Sequence, residues 1–289
     1  MAERAGSSAS SRRIAFISGA SRGIGRATAL ALAEKGFDCA LAARSVTGSE
    51  VHEYSPDRRR SLRRAMPGSL EETAAGVRAR GREALVLRLD LLDPASVEAA
   101  AERALAAFGA VDLLVNNAIY QGPGIMDRVL DTDCERVEDI LRGNVTSQLR
   151  LVQRLLPGML ARRRGAIVNL VSAAGLSDPP APPERGGWGF AYGASKAALL
   201  RMAGCLAVEH AGSGVSFFNL EPGLILTESM RVQGLTEDLL ASVGGGAPPE
   251  VPAAVIAWLA TDPGATAWHG KTVHAQPLAK QLGIGTGAA

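Results

Sequence analysis

Short apolar runs alternate along the chain with segments of helical spacing. The apolar runs predict buried strands over residues 13–20, 37–44, 83–91, 111–118, 165–175, 215–223 and 270–275. The intervening segments predict helices over residues 23–36, 69–81, 93–109, 134–163, 190–211 and 251–261. Because the strands are apolar on both faces, the pattern predicts an α/β fold: a doubly wound parallel sheet of about seven strands, covered by helices on each side.

Two segments interrupt the alternation. Residues 45–68 separate the second strand from its helix, and residues 176–189 precede the helix that starts at 190. Loops of this length in a compact domain are usually functional or disordered. With no repeat and no clear linker, we expect a single domain over residues 12–289 and a disordered tail over residues 1–11. Pro157 should bend or locally disrupt its helix.

The charge balance and the cysteines narrow the function. The chain has 31 basic and 29 acidic residues, a net charge of +2, which argues against nucleic-acid or membrane binding despite the arginine run "RRRSLRR". No apolar run has the ~18 residues that a membrane span needs. The three cysteines and four histidines lack metal-ligand spacing, so we predict no metal, reduced thiols and a cytoplasmic location.

A glycine-rich turn, "SGASRGIG" at residues 18–25, joins the first predicted strand to the first helix. Its glycines permit a tight turn and let backbone N–H groups approach a phosphate. The helix N-terminus adds a favourable dipole for an anion. In this position the loop is typical of dinucleotide-binding folds, although a turn with packing glycines is the alternative interpretation.

"YGASK" at residues 192–196 places a tyrosine and a lysine four residues apart, on one face of a predicted helix. Free tyrosine has a pKa of roughly 10, and a neighbouring ammonium lowers it by favouring the phenolate. The pair therefore predicts Tyr192 as a general acid for carbonyl reduction, or a base for alcohol oxidation. The alternative is a packed tyrosine beside a lysine that reaches to solvent.

Together these motifs resemble the short-chain dehydrogenase/reductase (SDR) family. The motifs that follow the family's order are Gly19, Gly23 and Gly25, "NNA" at 116–118, Asn144, Ser172, Tyr192 with Lys196, and "PGLILT" at 222–227. The resemblance covers residues 12–275 and implies a Rossmann-type fold, hydride transfer between a nicotinamide and a carbonyl or secondary alcohol, and a homodimer or homotetramer. The chain departs from the family with Ser18 for the usual Thr, Ile119 for a frequent Gly, and a longer rim before Tyr192.

The resemblance also implies a role for each matching residue. The catalytic residues are Asn144, Ser172, Tyr192 and Lys196, with Ser172 holding the substrate carbonyl and Asn144 a water in a relay with Lys196. The cofactor-binding residues are Gly19, Ser21, Arg22, Gly23, Ile24, Gly25, Arg44, Asp90, Leu91, Asn117, Ala118, Tyr192, Lys196, Pro222, Gly223, Ile225 and Thr227. Trp188 in the rim is a candidate substrate contact or a packing residue of its loop.

The second strand ends at Arg44, and Arg22 lies in the glycine loop. In a dinucleotide fold an acid at this strand end binds the ribose 2′-OH, whereas arginine accommodates a 2′-phosphate. The sequence therefore favours NADP(H), with a small-molecule carbonyl or alcohol as the substrate. An NAD(H)-dependent alcohol dehydrogenase and a non-catalytic dinucleotide-binding regulator are the alternatives.

Overall fold

The computed structural model describes residues 12–53, 63–232 and 245–285. Its strands are β1 (Arg13–Ser18), β2 (Phe37–Ala43), β3 (Val51–Glu53), β4 (Arg63–Ala65), β5 (Ala84–Arg88), β6 (Leu113–Asn116), β7 (Gly165–Leu170), β8 (Val215–Glu221) and β9 (Thr272–His274). Seven of them form one parallel sheet in the order β5, β2, β1, β6, β7, β8, β9. The fold class predicted from the sequence is confirmed.

Helices cover both faces of this sheet. They are α1 (Gly23–Glu34), α2 (Leu70–Arg78), α3 (Pro94–Phe108), α4 (Cys134–Leu141), α5 (Ser147–Ala161), α6 (Phe190–Glu209), α7 (Glu228–Val232), α8 (Glu250–Thr261) and α9 (Ala275–Leu282). Buried residues of α1, α2, α8 and α9 form the core on one face, and those of α3, α5 and α6 form the core on the other. Phe217 and Phe218 are consecutive in β8 and enter opposite cores, which explains why the strands are apolar at successive positions.

The sheet reverses its direction of winding at β1. This strand has β2 on one side and β6 on the other, so the chain builds outward from it in both directions. In open α/β sheets, ligands bind in the crevice outside the carboxyl ends of the strands at such a switch point. The fold therefore places a crevice at the ends of β1 and β6, and the glycine loop follows β1 there.

The long helical stretch predicted over residues 134–163 is present over residues 134–161, but it is not α-helical throughout. A π-helical segment, Arg142–Thr146, separates α4 from α5, and it buries Asn144. π-Helical turns need one extra residue per turn and are frequent at functional sites. Pro157 lies inside α5, which continues through it to Ala161, so the helix is not interrupted at the proline.

The insertion at residues 45–68 is more ordered than a loop in its described parts. Strands β3 and β4 pair antiparallel, with Val51 opposite Ala65. Arg88 ties the insertion to the sheet, because its guanidinium donates to both carboxylate oxygens of Glu50, at 2.7 and 3.0 Å. Residues 54–62, with much of the arginine run, lie outside the described residues, as does the tail predicted over residues 1–11.

We predict that Gly25→Ala destabilises the fold. A Cβ at Gly25 would overlap the carbonyl oxygen of Gly19 and lie 2.6 Å from Nδ2 of Asn117. Both neighbours are held by the end of β1, so relief requires movement of the backbone. The free energy of unfolding, measured with urea, should fall by about 1–3 kcal/mol.

Gly204→Ala is the matched control for this change. Gly204 lies inside α6, and a Cβ there would meet no atom within 4 Å. Alanine should stabilise the helix by about 0.5–1 kcal/mol. Equal stability of the two variants would contradict the close packing described at Gly25.

Candidate active site

The glycine loop is fixed to β6 by two side chains. The Ser18 hydroxyl accepts from the backbone N–H groups of Asn117 and Ala118, both at 3.0 Å, and donates to the carbonyl of Val115. Asn117 Nδ2 donates back to the carbonyl oxygens of Ser18 and Gly19, at 2.9 and 3.2 Å. Serine thus suffices where the related family usually has threonine, because these bonds use the hydroxyl alone.

A carboxylate occupies the N-terminus of α1. Oε2 of Glu228 accepts from the Gly23 N–H at 2.9 Å, and Thr227 packs on the same glycine. The first turns of a helix carry unpaired N–H groups and a positive dipole end, so an acidic group is favourable there. A phosphate approaching this end of α1 would meet the charge of Glu228. The sequence analysis missed this residue.

Ser172 and Tyr192 come together at the carboxyl edge of β7. Ser172 follows that strand by two residues, and its Oγ accepts from the Ala174 N–H at 3.2 Å, capping a short 3-10 turn. The turn packs directly on α6, since a Cβ at Gly175 would lie 2.7 Å from the backbone of Lys196. The Ser172 hydroxyl lies close enough to the Tyr192 phenol to influence its pKa.

The pKa of Tyr192 is raised, not lowered as the sequence predicted. Burial is the main cause because it disfavours the phenolate; the nearby Ser172 hydroxyl opposes it, and the charge of Glu221 adds to it. The pKa of Lys196 is also shifted by burial, which lowers it to about 8. Its Nζ donates to the Leu170 carbonyl at 2.8 Å. Burial, and not the attraction between ammonium and phenolate on which the prediction was based, is the main cause of both shifts.

Asn144 is buried, and its side chain joins two parts of the site. Oδ1 accepts from the Tyr120 N–H at 2.7 Å, while Nδ2 donates to Oγ of Ser195 at 3.3 Å. The amide thereby connects the loop after β6 to α6. The water relay with Lys196 that the resemblance implied stays a prediction.

The insertion at residues 45–68 lies beside the end of β2, where the adenosine of a cofactor is expected. Arg22 donates to the carbonyls of Pro67 and Gly68, at 2.8 and 3.0 Å, and to Oγ of Ser45 at 3.1 Å. Its guanidinium therefore also secures the far end of the insertion. Arg44 is half-buried at the end of β2, and its carbonyl accepts from Arg88 at 2.9 Å.

Two more of the predicted cofactor residues lie just after β5. Oδ1 of Asp90 accepts from the Leu92 N–H at 3.0 Å, so this carboxylate shapes its own turn. The Leu91 carbonyl accepts from the Ser147 hydroxyl at 2.6 Å, which ties the turn to the start of α5. Contact of either residue with an adenine stays a prediction.

The turn after β8 brings the end of the chain into the site. Gly223 has a φ of +76°, in the left-handed region that favours glycine, and packs against Gln276 of α9. Ile225 forms a bridge with Ala247, and the Thr227 hydroxyl accepts from the Met230 N–H in α7. The sequence analysis missed Gln276, because neither its spacing nor its neighbours indicate this contact.

The rim at residues 176–189 is tethered across the crevice. Glu184 forms an ion pair with Arg128 of the loop after β6. Trp188 packs against Gly193, which directly follows Tyr192, with 3.4 Å between its ring and a Cβ built there. The aromatic ring therefore has a packing role in the rim; its contact with a substrate stays a prediction.

Comparisons with known proteins agree with this geometry. A family model described as short chain dehydrogenase matches residues 59–238. The chain is 32% identical over 270 residues to the 3-oxoacyl-(acyl-carrier-protein) reductase FabG of Escherichia coli (strain K12), covering 91% of this chain and 95% of that protein. The FabG protein of Staphylococcus aureus (strain N315) is 28% identical over 237 residues, covering 80% and 84%.

Solved structures give the same picture. A 3-oxoacyl-(acyl-carrier protein) reductase from Brucella melitensis matches with a TM-score of 0.72 and 26% identity, covering 92% of this chain and 96% of that one. A short-chain type dehydrogenase/reductase from Mycobacterium marinum matches with a TM-score of 0.71 and 25% identity, covering 91% and 92%. The fold and the site define a dinucleotide-dependent oxidoreductase. The chain belongs to the short-chain dehydrogenase family.

Residues 12–53, 63–232 and 245–285 contain neither a membrane-spanning helix nor a metal-ligand cluster. No helix there is long and apolar enough to cross a membrane. The same residues contain no group of three or more histidine, cysteine, aspartate or glutamate side chains arranged to hold a metal ion.

We predict that Lys196→Met stabilises the protein at neutral pH. The pKa of this lysine falls from 10.5 to about 8 on folding, so between these values the unfolded chain binds more protons and stability rises with pH. The cost of burying the charge is complete below pH 8 and fades toward pH 10.5. At pH 7 the variant should gain roughly 1–3 kcal/mol, after the loss of the bond to Leu170.

Urea unfolding at several pH values checks this prediction. The advantage of the methionine variant should shrink steadily as the pH rises from about 8 to about 10. If the variant is less stable than the parent at pH 7, or if its gain in stability does not depend on pH, burial does not destabilise the charged form of Lys196.

Proposed function

We propose that this protein is an NADP(H)-dependent oxidoreductase that reduces a small-molecule carbonyl compound. A bound nicotinamide dinucleotide supplies the hydride, and the protein supplies binding, orientation and the proton. The observation that carries the proposal is the packing of the Ser172 turn against α6, which brings Ser172 beside Tyr192, with Lys196 one helical turn further along α6. Ser172 holds the carbonyl oxygen, and Tyr192 donates the proton to it.

The raised pKa of Tyr192 supports reduction as the direction of catalysis. A tyrosine kept protonated at neutral pH is ready to act as an acid, whereas oxidation of an alcohol requires the phenolate as a base. Lys196, with its pKa of about 8, is poised to exchange a proton near neutral pH. Asn144 holds the Tyr120 loop in place beside this group.

The glycine loop is suited to a diphosphate. At Gly19 and Gly25 a Cβ would overlap neighbouring atoms, so glycine at these positions lets the loop pack closely and lets a phosphate approach the start of α1. The NADP(H) preference is supported by Arg44 at the end of β2 and by Arg22 beside Ser45. An NAD(H)-dependent alcohol dehydrogenase and a non-catalytic regulator remain the alternative functions.

Apolar side chains surround Tyr192. Tyr192 packs with Ile119 and Met126 on a small cluster that includes Ile125, while Leu176 and Phe190 are exposed on the rim side. We infer that the substrate carries an apolar group beside its carbonyl. The relatives are named for reduction of 3-oxoacyl groups on a carrier protein, which is one member of this chemical class.

The assembly and the location also stay proposals. Leu149 in α5 and Val208 in α6 expose apolar surface, which supports a homodimer or homotetramer as the resemblance implied. The expected cytoplasmic location has support from free cysteines at positions 39, 134 and 205. Sedimentation of the purified chain would decide the assembly.

We predict that Tyr192→Phe abolishes turnover but spares cofactor binding. The change removes only the hydroxyl that donates the proton, so kcat should fall at least ~100-fold against any carbonyl substrate found with NADPH. Dissociation constants for NADPH should stay within about twofold by fluorescence titration. Turnover that survives the change would contradict the mechanism, and binding without hydride transfer in the unaltered chain would support the regulator instead.

We also predict that NADP⁺ and NADPH raise the unfolding temperature more than equal concentrations of NAD⁺ and NADH. A ligand at ~100 times its Kd stabilises by roughly 2.7 kcal/mol, which a thermal scan detects. Preferential stabilisation by the NAD(H) pair would contradict a phosphate-binding role for Arg22 and Arg44.

Glu228→Gln, tested in the same thermal assay, distinguishes an effect on the diphosphate from an effect on the 2′-phosphate. Removing the carboxylate from the N-terminus of α1 should strengthen binding of all four dinucleotides, because it relieves repulsion from the diphosphate. The preference between the two pairs should not change, since the 2′-phosphate lies at the other corner. An altered preference would place Glu228 at the ribose instead.

A further inference from the structure

The turn at residues 222–224 is held by two side chains that approach it from different elements. Glu221, the last residue of β8, accepts from the Gly223 N–H at 2.8 Å. Gln276, the second residue of α9, donates from Nε2 to the carbonyl oxygens of Pro222 and Leu224, each at 3.2 Å. Each residue of the turn therefore has one backbone group bound by a side chain.

Gly223 and Gln276 are matched in shape. The left-handed φ of +76° at Gly223 favours glycine, and a Cβ there would overlap the Gln276 amide. The glutamine amide thus fills the space that the missing side chain leaves. This close approach also lets the amide nitrogen of Gln276 make both of its hydrogen bonds to the turn.

The position of Gln276 is fixed by the fold. Helix α9 begins where β9 ends, and β9 pairs with β8 in the sheet. Leu278 and Ala279 of α9 are buried in the core that α8 shares. Gln276 therefore links the turn to this core. It belongs to a helix that packs in the core, and it binds two carbonyl oxygens of the turn.

We propose that Gln276 is a positioning residue that orients the nicotinamide end of the cofactor. This inference rests on the proposed function and on the family resemblance, which implies that residues 222–227 wrap the nicotinamide end of the cofactor. Gln276 acts through the turn and not by touching the cofactor. Its loss should therefore weaken contacts with the nicotinamide while leaving those with the adenosine half intact.

Calorimetric titration of the full chain with two ligands tests this proposal. NADP⁺ contains the nicotinamide, and 2′,5′-ADP carries the adenosine and its 2′-phosphate without it. Gln276→Met keeps the length of the side chain but removes both donors. We expect its affinity for NADP⁺ to fall on the order of tenfold, as two modest hydrogen bonds imply, with 2′,5′-ADP unchanged within about twofold.

Gln281→Met is the matched control, because Gln281 is exposed on the same helix. It should bind both ligands as the parent does. An unchanged affinity of Gln276→Met for NADP⁺, or equal weakening of both ligands, would overturn the proposal. If Gln276→Met does not fold, Gln276→Ala takes its place with the same outcomes.

This experiment distinguishes failure of the proposed function from failure of the proposed role of Gln276. If the parent chain prefers NAD⁺, the same comparison is made with NAD⁺ and ADP-ribose, and the outcomes keep their meaning. A parent chain that binds no dinucleotide contradicts the proposed function and overturns the role of Gln276 with it. Binding in the parent with no selective loss in Gln276→Met contradicts the role of Gln276 alone.

Discussion

The close approach of α1 to the ends of β1 and β6 is the constraint on which the site depends. Gly25 lies so near the Gly19 carbonyl that no side chain can stand between them. Ser18 and Asn117 fix this approach with hydrogen bonds across two strands that are adjacent in the sheet but 99 residues apart in the chain. The N-terminus of α1 consequently points at the crevice, where its Gly23 N–H donates to the carboxylate of Glu228.

Burial sets the protonation of the reactive side chains. Tyr192 is held as the neutral phenol and the pKa of Lys196 is brought to about 8, both chiefly through loss of hydration. These two shifts work in one direction, since each favours the uncharged side chain. In the proposed reduction, this neutral phenol is the group that donates the proton to the substrate oxygen. Attraction between the two charges, by contrast, would have favoured the phenolate.

Local pattern predicted the sheet well but missed the π-helical segment, the β3–β4 pair, α7 and α9. The π-helical segment around Asn144 has the same apolar spacing as the helices on either side, so nothing in the sequence distinguishes it. The β3–β4 pair is short and exposed, and lacks the apolar runs that identified the other strands. Helix α9 has only eight residues and includes a proline, which made its segment look like an irregular ending.

The sequence by itself determined the alternation of strands and helices, the glycine loop and the spacing of Tyr192 from Lys196, because each is a property of neighbouring residues. The tertiary structure decided which distant side chains meet them. Glu228 reaches Gly23 across 205 residues, and Gln276 reaches the turn at Pro222 across 54. The direction of the Tyr192 shift also belongs to the tertiary structure, because burial depends on what packs around a residue and spacing along a helix does not reveal it.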